Sequence, residues 1–275
     1  MAGMESPDGV AMAAPSPSHE NVRVDSDTRQ GRIVEFARTR GRVDVVALAD
    51  ELNVATETIR RDLKVLATRR LLKRVHGGAI PLETAAFESG VEYRSQVDLA
   101  QKHRMAAGAM ELLHGAETVY LDEGFTPRLI AERLADRELT VVTSSLLVAE
   151  ALAHSADVTV LLLGGRMRGR TLATVDHWAV DMLRSLVIDL AFLGTNGITL
   201  EHGLTTPDPA VAAVKQTAVK VASRRVLVAA HSKFGMTSFC RFAEVSDFEA
   251  IVTGTELSSA EARRYEALGP DVIRK

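Results

Sequence analysis

Residues 56–78, TETIRRDLKVLATRRLLKRVHGG, set the tightest limit on how this chain folds. Ile59, Leu63 and Leu66 recur at helical spacing and mark a buried face. Thr56, Glu57, Thr58, Arg60, Arg61 and Lys64 fall on the exposed face. Residues 70–75 then read as a basic strand carrying Lys73 and Arg74, followed by His76 and a Gly77-Gly78 turn. Upstream, residues 28–39 predict a helix with Ile33, Phe36 and Ala37 inward, closed by Gly41. Residues 45–52 predict a second helix with Val45, Leu48, Ala49 and Leu52 inward, and Asn53-Val54 a tight turn before the third helix at 56–69. Three short helices and a basic hairpin make a winged helix-turn-helix, in which the second helix of the pair enters a DNA major groove. A guanidinium grips guanine O6 and N7 together, and hydroxyls reach base edges or phosphates. Asp62 is expected to orient a neighbouring arginine rather than touch DNA.

Charge is distributed to match. Residues 27–80 hold twelve Arg and Lys against seven Asp and Glu, a surplus of five, inside a chain of net charge -3. A small basic module is therefore joined to a larger acidic one, which points to nucleic acid near the N-terminus. A length of 275 residues fits two domains, each with its own core. The single cysteine, Cys240, allows no disulfide within the chain and suits a reducing cytoplasm. No apolar run reaches the roughly 20 residues that span a bilayer. The N-terminus lacks the basic-then-apolar order of a signal peptide. No HExxH, P-loop or Cys/His cluster is present, so no catalytic residue, metal or cofactor is expected.

The expected organisation is a disordered Ala/Pro/Ser/Gly-rich tail over 1–25, the winged helix-turn-helix over 26–81 and a linker over 82–103. An α/β domain over 104–257 and a C-terminal helix and tail over 258–275 complete it. In the α/β domain, strands are expected at 118–121, 139–142, 158–163, 190–193, 225–229 and 250–252. Helices are expected at 104–113, 128–135, 146–153, 175–186 and 209–222. This alternation implies a mainly parallel sheet with helices on both faces, which binds ligands beyond the carboxyl ends of its strands. The segments after those strands are rich in small, hydroxyl and cationic residues. They supply Asp122, Gly124 and Thr126; Thr143, Ser144 and Ser145; Gly164 and Gly165; Gly194, Asn196 and Gly197; and Ser232 and Lys233. Arg168 and Lys215 add positive charge, although a helix lysine such as Lys215 is more often solvated. Glycines admit backbone N–H groups and helix N-termini favour anions, so the set suits a polyhydroxylated, phosphorylated molecule.

The order Arg29-x3-Ile33, Ala55-x2-Thr58-Ile59-Arg60-Arg61-Asp62-Leu63 and His76-Gly77-Gly78-Ala79 resembles the DeoR family of bacterial transcriptional regulators. The resemblance continues through DEGFT, TSS, LGGRMRGRTLAT, GTNGI, GLTTPDP, VKQ and SKFG, and so covers roughly residues 28–255. It implies a sensor domain similar in fold to sugar-phosphate isomerases, which binds a phosphorylated sugar without chemistry and controls DNA affinity, most often as a repressor. It also implies a homo-oligomer, dimer or tetramer, on a double-stranded operator, with no membrane partner. The chain departs from the family at Phe125, where Ser or Thr is usual, and at Val211, Ala230 and Asp176, where an acid, an Asp and a Gly are common. Two other readings stand beside this one: an isomerase-like enzyme with an added DNA-binding domain, and a regulator whose C-terminal domain only oligomerises.

Overall fold

The computed structural model describes residues 26–68, 71–81 and 91–275. The tail expected over 1–25, the end of the third helix at Arg69, the first strand residue Arg70 and the linker stretch 82–90 lie outside the described residues.

The N-terminal unit runs α1 (Ser26–Arg40), β1 (Val43–Asp44), α2 (Val45–Glu51), α3 (Thr56–Thr68), β2 (Leu72–Val75) and β3 (Gly78–Pro81). Ile33, Leu48, Ile59, Leu63, Leu66 and Leu72 meet in one core, so the three amphipathic stripes close on each other. The three strands pair antiparallel in the order β1-β3-β2. A Cβ on Gly78 would lie 1.9 Å from the Val43 carbonyl oxygen, so only glycine lets β3 sit this close to β1. Asp44 caps α2 by accepting from the Val46 and Ala47 N–H groups at 2.8 and 3.4 Å. Val45 N–H donates to the Gly77 carbonyl at 2.9 Å, which ties the wing turn to the start of α2.

Asp62 does hold an arginine, but it is Arg29 of α1 rather than Arg60 or Arg61 beside it in sequence. Asp62 is buried and faces α1, not the neighbouring arginines. Its carboxylate accepts from Arg29 Nε at 2.6 Å and from Gln30 Nε2 at 2.9 Å. The carboxylate therefore fastens α3 to α1 inside the unit.

The second unit begins with α4 (Val91–Gln96) and α5 (Leu99–Met110), earlier than the helix expected at 104–113. It continues β4 (Thr118–Leu121), α6 (Phe125–Leu134), β5 (Leu139–Thr143), α7 (Leu146–Leu152), β6 (Val158–Leu162), β7 (Arg166–Arg168), β8 (Ala173–Val175), α8 (His177–Arg184) and β9 (Ile188–Leu193). Then follow β10 (Gly197–Thr199), β11 (Gly203–Thr206), α9 (Pro209–Val221), β12 (Ala222–Val228), β13 (Cys240–Ala243), β14 (Ala250–Thr253), α10 (Ser259–Glu266) and β15 (Asp271–Arg274). Seven strands form one sheet in the order β15-β14-β12-β9-β4-β5-β6, parallel at every pairing. Residues of α5, α6 and α7 fill the core on one face of the sheet, and residues of α8 and α9 fill the core on the other. Asp189 pins the start of β4, accepting from Thr118 Oγ1 at 2.8 Å and from the Thr118 and Glu117 N–H groups at 2.9 and 3.0 Å. The Thr118 hydroxyl and these backbone N–H groups hold its carboxyl below the usual range.

Three features lie outside the sequence reading. The chain does not trail off after α10, because β15 adds to the sheet edge beside β14. A small antiparallel sheet, β10-β11-β13, and a hairpin, β7-β8, cover the loop edge. Their strands are three or four residues long, and in β10 and β11 are Gly- and Thr-rich, too short to show a period.

Candidate functional site

The face expected to meet DNA is open. Glu57, Arg60, Arg61 and Lys64 on α3 are exposed, Thr56 and Thr58 are half-buried, and Lys73, Arg74 and His76 are exposed on the wing. Arg60, Arg74 and His76 line a cleft of about 320 Å³ between α3 and the hairpin, so helix and wing present their cations to one space. Arg60 pairs with Glu57 at 3.3 Å, but both are solvated, so the pair is worth about 0–1 kcal/mol and releases readily. Arg42, which the sequence reading passed over, donates from Nη2 to the His76 carbonyl at 3.0 Å and steadies the wing tip.

A second cleft, of about 110 Å³, opens at the carboxyl ends of β4, β9 and β12. Its walls include Gly124, Phe125 and Thr126 at the start of α6, Gly194 and Asn196 after β9, and Ala230, Ser232 and Lys233 after β12. Lys215 reaches its floor from α9 and is 3% exposed, so it is not the solvated lysine its helix suggests. Its ammonium contacts the buried Asp122 carboxylate and donates to the Gly194 carbonyl at 3.2 Å. Asp122 also accepts the Gly194 N–H at 2.8 Å. Asp122 thus serves the ends of β4 and β9 from below the cleft. Beside it, burial and then the Asp122 charge push the Tyr120 phenol well above its usual range.

The other expected residues stand apart from this cleft. Thr143 Oγ1 donates to the Leu121 carbonyl at 2.7 Å and accepts the Ser145 N–H at 3.0 Å. Ser145 Oγ caps α7 by accepting the Val148 N–H at 3.4 Å, and the Ser144 carbonyl accepts the Thr174 N–H at 2.8 Å. These hydroxyl residues join strand to loop. Gly164 and Gly165 form the turn from β6 to β7, where Gly164 N–H lies 3.2 Å from Met182 Sδ. Arg168 pairs with Asp208 at 3.2 Å and donates to Thr171 Oγ1 at 3.2 Å. Gly197 packs on backbone, since a Cβ there would lie 2.3 Å from the Met236 carbonyl oxygen.

The segment read as a linker supplies the wall that the sequence reading missed. Arg94, Val97, Asp98 and Lys102, from α4, α5 and the corner between them, line the cleft, and Glu123 joins them from the loop after β4. Lys102 Nζ donates to the carbonyls of Arg94 and Val97 at 2.5 and 2.6 Å, closing the α4–α5 corner. Ser232 Oγ donates to Asp98 Oδ2 at 3.1 Å, which fastens that corner to the loop after β12. Two cations in a short segment close to the sensing unit are the signal that was available.

Residues 29–85 match the family model of the DeoR-like helix-turn-helix domain, and residues 97–255 match that of the DeoR C terminal sensor domain. The HTH-type transcriptional regulator GlpR of Haloferax volcanii is 35% identical over 246 residues, covering 89% of this chain and 96% of that protein. The glycerol-3-phosphate regulon repressor of Escherichia coli K12 is 29% identical, covering 82% of this chain and 89% of that protein. Ribose 5-phosphate isomerase A of Methanocaldococcus jannaschii shares 15% identity at a TM-score of 0.36 over 48% of this chain and 53% of that one, a likeness that carries no argument about activity. Among the described residues no helix is long and apolar enough to cross a membrane.

Proposed function

We propose a repressor released by a phosphorylated small molecule, since the chain belongs to the DeoR family of DNA-binding transcriptional regulators. The observation that carries the effector half is the cleft at the strand ends. It brings the N-terminal turn of α6, the Thr126 and Ser232 hydroxyls, Asn196, and the cations Lys233, Lys102 and Arg94 around one space. A helix N-terminus beside cations suits a phosphate, and the amide and hydroxyls suit sugar oxygens. The effector class is a phosphorylated sugar or a related metabolite, and the cleft binds it without turnover. Control follows from the wall that Arg94, Asp98 and Lys102 provide, because the chain reaches that wall directly from the DNA-binding unit. A ligand shifts the DNA-bound population only if it binds the two states differently, and a tenfold difference corresponds to about 1.4 kcal/mol.

Triose, pentose and hexose phosphates are to be titrated against the protein on operator DNA. One or more is expected to weaken operator binding and raise thermal stability. No change in either quantity across the panel removes the effector reading, and turnover of any compound removes the non-catalytic one. Lys233→Ala is expected to lose the response and keep operator affinity; lost operator affinity would instead mark Lys233 as structural.

For the DNA half, Arg60 and Arg61 are assigned to groove or phosphate contacts, and Lys64, Lys73, Arg74 and His76 to phosphates. Truncating a base-reading arginine is expected to cost about 1–3 kcal/mol at one base position, whereas losing a phosphate contact weakens all sequences and flattens the salt dependence. Arg60→Ala and Arg61→Ala are compared on operator and random DNA across a salt series. Two variants that bind as the parent does would end the assignment.

A further inference from the structure

We infer that the β6 edge of the sheet, with α8 beside it, is the face on which two copies of this chain join. The face is apolar where a lone protein would be polar. Trp178 and Met182 lie one turn apart on α8 and are 64% and 45% exposed. Leu161 on β6 and Met167 on β7 are 43% and 52% exposed. These residues are continuous: Met182 Sδ touches Gly164 N–H just past β6, and Arg166 Nε pairs with Asp176 at 2.7 Å, drawing β7 to the start of α8. Contiguous exposed apolar patches of a few hundred Å² mark interaction sites.

The strand beneath the patch is itself unfinished. Among the described residues β6 pairs with β5 on one side and is the last strand of the sheet on the other, so a row of backbone donors and acceptors faces outward. Leu162 is exposed on its opposite face, so the described residues cover neither side of the edge. A second β6, antiparallel across a two-fold axis, satisfies those groups.

The charges on this face select a second copy over a different partner. Asp181 and Arg184 are both exposed on α8 and lie 3.2 Å apart. A two-fold axis sets the acid of one copy against the base of the other, so the surface is complementary to itself. A strongly acidic or strongly basic partner finds no such match. The output also needs pairing, because helix-turn-helix units read half-sites about one DNA turn, roughly 34 Å, apart when two copies are held together. This inference is independent of what fills the cleft.

The test is the light-scattering mass of the full chain at micromolar concentration, with circular dichroism as a check on folding. The parent protein is expected at an even multiple of the chain mass. Trp178→Glu is expected at half the parent mass with unchanged dichroism. Leu161→Lys, on the strand rather than the helix, is measured alongside, so misfolding of one variant leaves the other to decide. Asp181→Arg is expected to dissociate the pair, and Asp181→Arg with Arg184→Asp to restore it. A monomeric parent, a folded Trp178→Glu or Leu161→Lys of unchanged mass, or a double variant no larger than the single one overturns the inference.

Discussion

Lys215→Ala is expected to lose about 3–5 kcal/mol of folding stability, a large share of what holds a domain of this size together. The pair that this substitution breaks is almost wholly out of water, with Lys215 3% exposed and Asp122 1% exposed. Truncation leaves a carboxylate in the interior with the Gly194 N–H still donating to it and its cation gone. The gap also lies under the Phe242 ring, whose centroid is 5.5 Å from the ammonium. Removing both charges is expected to cost less than removing one, because the desolvated carboxylate then disappears with its partner. Urea unfolding of Lys215→Ala, Asp122→Asn and a Lys215→Met/Asp122→Asn double variant checks this. A single variant within about 1 kcal/mol of the parent, or a double variant that falls by the sum of the singles, contradicts it. The result also guards the effector experiment, since a Lys215 variant that ignores sugar phosphates has first lost part of the floor.

Asp62→Ala is expected to cost about 3–5 kcal/mol in the N-terminal unit and to weaken operator binding tenfold or more, although Asp62 faces away from DNA. The carboxylate is 5% exposed and holds Arg29 of α1, itself 12% exposed. Without it, a guanidinium loses its carboxylate in a unit of three short helices whose small core has little stability to spare. Asp62→Asn keeps an acceptor for Gln30 Nε2 and is expected to lose less. Hydrogen exchange on α1 and α3, measured with operator affinity, separates this from a contact effect. If Asp62→Ala keeps native protection in both helices yet loses DNA, the carboxylate acts at the DNA face instead.

Much of the fold is legible in the residues because burial leaves a period. Ile59, Leu63 and Leu66 fix α3, and short apolar runs such as residues 139–142 and 190–193 fix parallel strands covered on both faces. Asp62 carried a readable signal too. It stands three residues after Ile59 and four before Leu66, in phase with the buried stripe rather than with Arg60 and Arg61. The cleft was harder to read. Thr143 and Ser145 have the composition of a ligand loop, yet their hydroxyls serve strand ends and a helix cap, and turn chemistry of that kind looks the same in sequence. Arg94 lies on a helix of six residues, which is too short to show a stripe, and Lys102 lies in the first turn of α5, ahead of the helix expected at 104–113. The burial of Lys215 depends on Asp122, 93 residues away, and no local pattern reports a partner at that distance.

The corner from Arg94 to Lys102 also sets where this protein can be cut. A chimera that carries a different DNA-reading head must be joined ahead of Val91, because a junction placed at residue 104 removes one wall of the cleft along with the old head. Grafted that way, the new head arrives already attached to Arg94, Asp98 and Lys102, and the cleft stays whole.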